Sequence, residues 1–334
     1  MRQAGRYLPE YNATRRKAGN FLALCKNPEL ACEVTLQPID RYGLDAAILF
    51  SDILTIPDAF GLGLHFVEGE GPRFHKKIES EADVATLPNV QMAEALSYVG
   101  DAVALIRQTL NGRVPLIGFS GSPWTLACYM LSGGSSGDDF LMVRKWIYSR
   151  PELVLTLIDR IQSAVIDYCD MQVKAGAQTI MLFDSWGGLL ADRAFDRFSL
   201  ANLKTIVGAL KQRHPSTPVI VFVKGGGQWA ERIAGTGCDG IGLDWTSDLS
   251  AMRANIGSRC TLQGNLDPAA LLGEPKHIEA EATRVVDSFG PLESGVGHVF
   301  NLGHGISQFT PIDNVSCLVE AVAKASRNQV RQDH

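Results

Sequence analysis

The chain has 334 residues, of which 46% are hydrophobic and 20% are charged, as expected for a globular protein with a sizeable core. Its 31 Lys and Arg against 36 Asp and Glu give a net charge of -5, which argues against nucleic acid as the main partner. No apolar run approaches the roughly 20 residues of a membrane span, and polar residues rather than a signal-peptide pattern follow Met1. We therefore expect a cytoplasmic protein that does not enter a membrane.

A cationic cluster opens this acidic chain. Arg2, Arg6 and Arg15 lie close together in sequence, and Arg16 and Lys17 follow. Guanidinium groups bind carboxylates or phosphates through paired hydrogen bonds, so the segment is predicted to be a loop that clamps an anion. The alternative is an N-terminal arm whose arginines are only solvated, since surface Arg is common.

Short apolar runs, each followed by polar residues, recur along the rest of the chain. They cover residues 46–50, 114–119, 179–183, 219–223, 241–243, 260–262 and 298–302. Apolar residues at helical spacing lie between them, in residues 92–110, which end at Asn111, and in residues 154–168, which follow Pro151. Further helices are predicted around residues 278–285 and after Pro311. Apolar strands that alternate with helices predict a parallel sheet covered on both faces.

The fold class predicted from this alternation is α/β, as a single domain over residues 1–334. Seven strands, with one more before Met1, would make an eight-stranded (β/α)8 TIM-like barrel, and an open doubly wound sheet is the alternative. Active sites of such barrels lie at the carboxyl ends of the strands, although helix capping also places polar residues there. The polar residues that follow the seven runs are Asp52, Ser122, Ser185, Lys224, Asp244, Asn265 and His304.

The sequence contains no nucleotide or metal motif in the right context. Residues 235–240 match G-x-G-x-x-G, but they follow a predicted helix and precede a strand, the reverse of a dinucleotide fingerprint. The seven histidines show no paired spacing, and the seven cysteines form no C-x-x-C pair. We expect no metal site and reduced, mostly buried thiols. Residues 133–139, rich in Gly and Ser, are either a loop over a site or a plain surface loop.

Two of the strand-end residues are the sharpest candidates for chemistry. His304 lies between glycines just past a strand, which would expose its ring at the barrel opening, although a lone His is more often structural. Asp52 should point into the same opening, toward the arginines. A carboxylate near arginines is expected to keep a low pKa and stay charged, so that it can hold N–H donors or stabilise a cation. Its alternative role is an ion pair that orients Arg2 or Arg6.

Several long segments occur in order between Met1 and about Arg327. They are MRQAGRYLPEY, LQPIDRYGLDAAILFSDIL, GRVPLIGFSGSPWTLACYM, GLDWT, TLQGNLDP and NLGHG. Together they resemble the uroporphyrinogen decarboxylase family. The resemblance implies a (β/α) barrel, usually a homodimer, that removes carbon dioxide from four acetate side chains of uroporphyrinogen III to give coproporphyrinogen III, without a metal or organic cofactor. Family members normally carry the first barrel strand before MRQAGR, so an upstream extension is expected.

The resemblance also implies a set of site residues. Asp52, Arg2 and His304 would be catalytic, and the substrate-binding set would be Arg2, Arg6, Arg15, Asp52, Tyr129, Ser185 and His304. The arginines would clamp the carboxylates of the substrate, and Asp52 would face the pyrrole N–H groups and favour the cation formed when a pyrrole is protonated. The general acid stays open between Arg2, a water molecule and a substrate carboxyl group.

Two other functions are weighed against this one. A related barrel methyltransferase would use zinc bound by His and Cys, but no His-x-Cys pair occurs late in the chain. A tetrapyrrole carrier would bind a porphyrinogen without releasing carbon dioxide, but binding a polycarboxylate calls for arginines and not for an acid such as Asp52.

Overall fold

A computed structural model of the chain describes residues 2–67, 69–291 and 296–332. Met1, the first residue of the first family-like segment, lies outside the described residues. Among those described, no helix combines the length and the apolar character that crossing a membrane requires.

A parallel sheet forms the centre of the fold and confirms the predicted α/β class. The strands in chain order are β1 (Ala47–Ile48), β2 (Leu64–Val67), β3 (Gly71–Phe74), β4 (Leu116–Gly121), β5 (Thr179–Asp184), β6 (Val219–Val223), β7 (Gly240–Gly242), β8 (Thr261–Leu266) and β9 (His298–Leu302). Seven of them pair in the order β1-β4-β5-β6-β7-β8-β9, and all six pairings are parallel. Their carboxyl ends therefore share one edge of the sheet.

Helices precede β1, lie between the later strands of this sheet and follow β9. They are α1 (Pro9–Ala18), α2 (Phe21–Cys25), α3 (Pro28–Tyr42), α4 (Thr55–Ala59), α5 (Glu81–Ala85), α6 (Met92–Ala95), α7 (Ser97–Leu110), α8 (Pro123–Ser132), α9 (Leu141–Ser149), α10 (Pro151–Ala175), α11 (Asp192–Phe195), α12 (Ala201–Arg213), α13 (Ala230–Ala234), α14 (Leu249–Ile256), α15 (Pro275–Phe289) and α16 (Ile312–Gln332). A π-helical turn, Asp196–Leu200, joins α11 to α12.

The seven predicted strands are all present, with shifted ends. β6 and β9 cover the predicted runs, whereas β8 continues to Leu266, so that Asn265 lies inside the strand and not after it. The antiparallel hairpin β2–β3 was not predicted. Its strands are four residues each and carry mostly half-exposed side chains, so they lack the apolar run that marks the buried strands.

The helix predictions are confirmed except at one break. Pro151 begins α10, and Asn111 ends α7 with a left-handed backbone, φ 45°. The single helix predicted over residues 92–110 is wrong, because the chain leaves helical geometry at Leu96, φ -115°. Leu96 is nevertheless buried. The apolar pattern thus continues across a break that periodicity alone does not detect.

Two glycine-rich segments take defined places. Residues 235–240 form the turn from α13 into β7, which confirms that they are not a dinucleotide fingerprint. Gly133 ends α8 with φ 78°, and Gly134 then forms an isolated antiparallel bridge with Arg73 of β3. The Arg73 guanidinium donates to the Ser135 carbonyl at 2.6 Å. The start of the loop over residues 133–139 is therefore packed on the hairpin β2–β3.

The sheet is strongly curled. In a flat sheet, β6 and β9 would lie about 14 Å apart, three strand spacings. The ring of Phe222 on β6 nevertheless lies 6.1 Å from the ring of His304, just past β9. Phe222 continues an aromatic row with Phe183 on β5 and Phe119 on β4, at centroid distances of 6.0 and 5.8 Å. The row lies on the concave face, which is how a barrel-like sheet fills its interior.

The N-terminal segment bridges the two outer strands of this curled sheet. The Gln3 side chain donates to the Ala46 carbonyl at 2.7 Å and accepts from the Ile48 N–H at 3.0 Å, so it binds the free edge of β1. Beside it, Arg2 packs against Gly305, where an added Cβ would lie 3.4 Å from Arg2 Cβ. In the described residues no strand pairs with the outer edges of β1 and β9. The eighth strand of the predicted barrel therefore stays a prediction.

Close packing between the sheet and α10 gives a test of the fold. A Cβ added at Gly118 on β4 would lie 2.6 Å from Gln172 Oε1, which accepts the Phe119 N–H at 2.9 Å. We expect Gly118→Ala to lower the free energy of unfolding by about 1–3 kcal/mol.

The matched control is Gly208→Ala on the exposed side of α12, where an added Cβ meets nothing within 4 Å. This change should raise stability by about 0.5–1 kcal/mol, because alanine loses less backbone entropy in a helix. Urea unfolding of both variants measures the difference. A Gly118→Ala protein as stable as the parent would contradict the described packing.

Candidate active site

The Asp52 carboxylate lies in the loop that follows β1, at the carboxyl edge of the sheet. Its Oδ1 accepts the Leu54 N–H at 2.7 Å, and the Thr55 hydroxyl donates to the Asp52 carbonyl at 3.2 Å. These bonds belong to the start of α4 and hold the loop. The Asp52 side chain is half-buried. Its carboxylate is therefore fixed by these bonds and is still accessible from the opening.

The expected low pKa of Asp52 is wrong. Burial raises the pKa of this carboxyl from 3.8 to about 6, and the opposing effects of the Leu54 N–H and the Arg2 charge are smaller. In the described part of the chain no ion pair joins Asp52 to Arg2 or Arg6. Loss of hydration therefore outweighs the attraction of a cation that is near but not in contact. The alternative reading, an ion pair that only orients an arginine, is not supported by this geometry.

The three arginines converge around Tyr11 on α1. Arg15, Arg2 and Arg6 all lower the pKa of the Tyr11 hydroxyl, although burial raises it to about 12 overall. Arg2 and Arg6 precede α1, whereas Arg15 lies within it, so the prediction of one loop is wrong for Arg15. The spacing of the arginines did not show that Pro9 begins a helix. None of the three forms an ion pair with a described acidic residue.

Helix α1 is fixed on α3 by polar contacts. The Arg41 guanidinium donates to both oxygens of Glu10, at 2.7 and 2.9 Å, and the Thr14 hydroxyl donates to Glu33 Oε1 at 2.6 Å. The acidic side chains near α1 thus bind partners other than the three arginines. The guanidinium groups of Arg6 and Arg15 remain available to an external anion.

His304 lies half-buried beyond β9 and is neutral at physiological pH. Burial lowers the pKa of the imidazole from 6.5 to about 4, and the positive charges of Lys224 and Arg2 lower it further. Asp244 acts in the opposite direction and is outweighed. A neutral imidazole among cations can both donate and accept hydrogen bonds without repelling them.

Tyr129 and Ser185 lie on the β4–β5 side of the opening. The Tyr129 ring, on α8, is 5.4 Å from the Phe140 ring and 6.4 Å from the Trp186 ring. Burial raises the pKa of its hydroxyl, and the charge of Asp52 adds to this effect. Ser185 directly precedes Trp186 and is half-buried. The charge of Arg2 acts on Asp52 and on His304, and the charge of Asp52 acts on Tyr129, so these four side chains lie near one another. Ser185 lies near Tyr129 because it directly precedes Trp186.

Sequence reasoning missed the organising role of Asp184. This fully buried carboxylate accepts hydroxyl hydrogen bonds from Ser122 and Thr125, both at 2.8 Å, and from Ser199 on the π-helical turn. Burial raises the pKa of its carboxyl, and the three hydroxyls oppose that rise. An Asp at the end of an apolar run, with Ser and Thr after the neighbouring strand, was the signal available in the sequence.

Two of the other strand-end residues, Ser122 and Asn265, have structural contacts. The Ser122 side chain caps α8 by accepting the Thr125 N–H at 3.0 Å, so helix capping explains that residue. The Asn265 amide donates to the Asp244 and Ser247 carbonyls at 2.9 and 2.7 Å.

The seven cysteines are free and six are buried, as predicted. Within the described ranges, no three His, Cys, Asp or Glu side chains come together as a metal-binding group.

These features define the class of protein. It is an α/β protein with a curled parallel sheet and a cation-rich, partly buried polar opening at the carboxyl ends of the strands. Solved structures share this fold. A methyltransferase from Methanosarcina mazei superposes with a TM-score of 0.76 at 22% identity, over 93% of this chain and 90% of that one. A B12-independent methionine synthase from a Shewanella species gives 0.56 at 11% identity, over 91% and 89%.

Sequence comparison is more specific than the fold. A profile of the family described as uroporphyrinogen decarboxylase matches residues 1–325. Proteins named uroporphyrinogen decarboxylase from Methylibium petroleiphilum and an Azoarcus species are 58% and 57% identical to this chain. The alignments cover 98% of this chain in both cases, and 90% and 91% of the relatives. The chain belongs to the uroporphyrinogen decarboxylase family.

The raised pKa of Asp52 predicts a pH-dependent stability change. Because the fold favours the protonated carboxyl, ionisation lowers stability as pH rises from about 4 to about 6, and the cost persists above that range. We expect Asp52→Asn to be more stable than the parent at pH 7, by roughly 1–3 kcal/mol, and similar to it near pH 4.

Urea unfolding at the two pH values measures this difference. Asp101→Asn, at an exposed position of α7, is the control and should change stability little at either pH. An Asp52→Asn protein less stable than the parent at pH 7 would show that the ionised carboxylate stabilises the fold.

Proposed function

We propose that this chain decarboxylates the four acetate side chains of uroporphyrinogen III to give coproporphyrinogen III, in tetrapyrrole and haem biosynthesis. Membership of the family and the names of its close relatives support the substrate. The observation that carries the chemistry is Asp52. This carboxylate is half-buried at the opening, has a pKa raised to about 6 and forms no ion pair with the residues that the structure describes, so it is available to a cationic group on a ligand.

Binding of the substrate follows from its charges. Uroporphyrinogen carries acetate and propionate carboxylates around a flexible macrocycle. Arg2, Arg6 and Arg15 bind these carboxylates through the paired donors of their guanidinium groups. Tyr129 and Ser185 donate hydroxyl hydrogen bonds from the β4–β5 side. The neutral ring of His304 completes the contacts beyond β9.

The reaction needs an electron sink for each acetate that loses carbon dioxide. Protonation of the pyrrole next to the acetate creates a cationic ring. The bond to the carboxylate carbon then breaks, carbon dioxide leaves, and the electron pair enters that ring. A proton added to the new methylene carbon gives the methyl group, and loss of the proton first added to the ring restores the neutral pyrrole, so one proton is consumed for each carbon dioxide released. Asp52, facing the pyrrole N–H groups, stabilises the cation by fixed charge. The pyrrole ring itself accepts the electrons, so we propose that no cofactor takes part.

We infer three further properties from family membership. The chain acts as one domain over residues 1–334, forms a homodimer, and works in the cytoplasm. The seven free thiols are typical of a reducing compartment and support the last point. Light scattering of the purified protein measures the proposed dimer, and a mass of one chain would contradict it.

The deciding experiment is anaerobic incubation with uroporphyrinogen and a chelator, followed by oxidation and chromatography. Stepwise loss of four carboxylates to coproporphyrin is the expected result. Binding of the porphyrinogen without loss of carbon dioxide would favour a carrier. Turnover that stops with the chelator and returns with zinc would contradict the proposal of a metal-independent reaction.

Asp52→Asn is expected to retain the fold and lower turnover about 100-fold or more, because the amide cannot offset a developing positive charge. In the parent, kcat/KM should rise with pH through about 6 as Asp52 ionises. Both are measured by product formation across pH 5–8. Turnover at the parental rate in Asp52→Asn would remove Asp52 from its electrostatic role.

Arg6→Ala is expected to raise KM about tenfold, since a charged hydrogen bond to a substrate carboxylate is lost. The Arg6 carbonyl, which accepts from the Asn12 side chain at 2.8 Å, is kept in this variant. Arg16→Ala, at an exposed position of α1, is the matched control and should leave KM unchanged. Equal kinetics for both variants would place Arg6 outside the site.

A further inference from the structure

Lys224 follows β6 directly, and neighbouring strands hold its backbone on both sides. Its N–H donates to the Asp184 carbonyl at 3.1 Å, and its carbonyl accepts the Gly188 N–H at 3.0 Å. The next N–H, that of Gly225, donates to the Asp244 carboxylate. The Cα of Lys224 is thus anchored to the loops after β5 and β7, so the origin of its side chain at the opening is fixed.

The ammonium group of Lys224 has no acidic partner among the residues that the structure describes. Other lysines do have one: Lys211 lies 2.6 Å from Asp239, and Lys26 lies 2.7 Å from Asp58. Asp244, the acid next to Lys224 in space, uses its carboxylate oxygens on the Gly225 N–H and on Thr246. Among the described residues, Lys224 is therefore a half-buried lysine that forms no ion pair, although the hydrogen-bonded Asp244 is nearby.

The surroundings of Lys224 favour an anionic ligand. Its Nζ lies over the Trp245 ring, 6.0 Å from the ring centre, so the ammonium group is near that ring at the carboxyl edge. The positive charges of Lys224 and Arg2 both lower the pKa of His304, which lies near them and is uncharged. Lys224, Arg2 and the neutral imidazole of His304 thus lie near one another at the opening, with the hydrogen-bonded carboxylate of Asp244 also nearby.

We propose that Lys224 binds a carboxylate of the porphyrinogen at the β6–β9 side of the opening, as a substrate-binding residue in addition to the seven that the resemblance implies. The inference rests on the proposed function. A macrocycle with carboxylates all round its rim needs cations on more than one side. Lys224 supplies a positive charge from the end of β6, in addition to those of the N-terminal arginines.

The test compares Lys224→Met, Lys224→Arg and the control Lys204→Met, which alters an exposed position of α12. Methionine keeps an unbranched apolar side chain and removes the charge. We expect kcat/KM for uroporphyrinogen to fall about 10- to 100-fold in Lys224→Met. Lys224→Arg should recover most of it, and Lys204→Met should match the parent. A Lys224→Met protein within twofold of the parent would overturn the proposal.

Two further readouts separate substrate binding from a structural role. In Lys224→Met the melting temperature should stay within about 2 °C of the parent, which corresponds to only a small stability change for a chain of this size. The pKa of His304, followed by NMR of the imidazole, should rise because one neighbouring cation is gone. A large fall in melting temperature that also occurs in Lys224→Arg would assign Lys224 to the fold and overturn the proposal.

Failure of this inference is distinguishable from failure of the proposed function. If the parent releases no carbon dioxide, uroporphyrinogen is not consumed, and anaerobic equilibrium dialysis measures its binding directly. Weaker binding to Lys224→Met than to the parent would then support Lys224 while the decarboxylase function fails. Equal binding to the two proteins, or no binding to either, would overturn the proposal for Lys224.

Discussion

The buried carboxylate of Asp184 is the contact on which the shape of the opening depends. A charge-bearing group that is fully removed from water needs donors, and three hydroxyls from two different segments provide them. These bonds join the start of α8 and the π-helical turn to the end of β5. The Asp184 carbonyl also accepts the Lys224 N–H, which extends the same junction to β6. Tyr129, Ser185 and Lys224 are thereby held on one rigid base.

At the opening, loss of hydration shifts the pKa values of Asp52 and His304 more than nearby charges do. Asp52 has its pKa raised to about 6 and His304 has its pKa lowered to about 4, so both shifts favour the neutral form. Near pH 7 the carboxylate is still ionised and the imidazole is still uncharged. Among the described residues, the opening therefore combines the ionised carboxylate of Asp52 with cations, Arg2 and Lys224, that form no ion pair. This pattern suits a ligand that carries many carboxylates and develops a positive charge at its centre.

The central strands were predictable because they are buried on both faces, which leaves continuous apolar runs in the sequence. The hairpin β2–β3 was missed for the opposite reason, since its side chains are partly exposed and follow no such run. The break at Leu96 was missed because a buried leucine there preserves helical spacing. Within the candidate site, Arg2, Asp52 and His304 were identified from their positions around strand ends and from family-like segments. The hydrogen bonds of Asp184 and the backbone contacts that fix Lys224 could not be identified in this way, because they join segments distant in sequence.

Local pattern alone established the α/β class, the positions of the seven central strands along the chain and the family to which the segments point. These properties depend on features of short stretches of chain, namely apolar runs, helix-ending residues and motifs. Tertiary structure decided the curl that brings Arg2, Asp52 and His304 together from opposite edges of the sheet. It also decided the pKa of Asp52, where expectation from nearby arginines was wrong. Desolvation depends on everything packed around a group, and no single stretch of sequence contains that information.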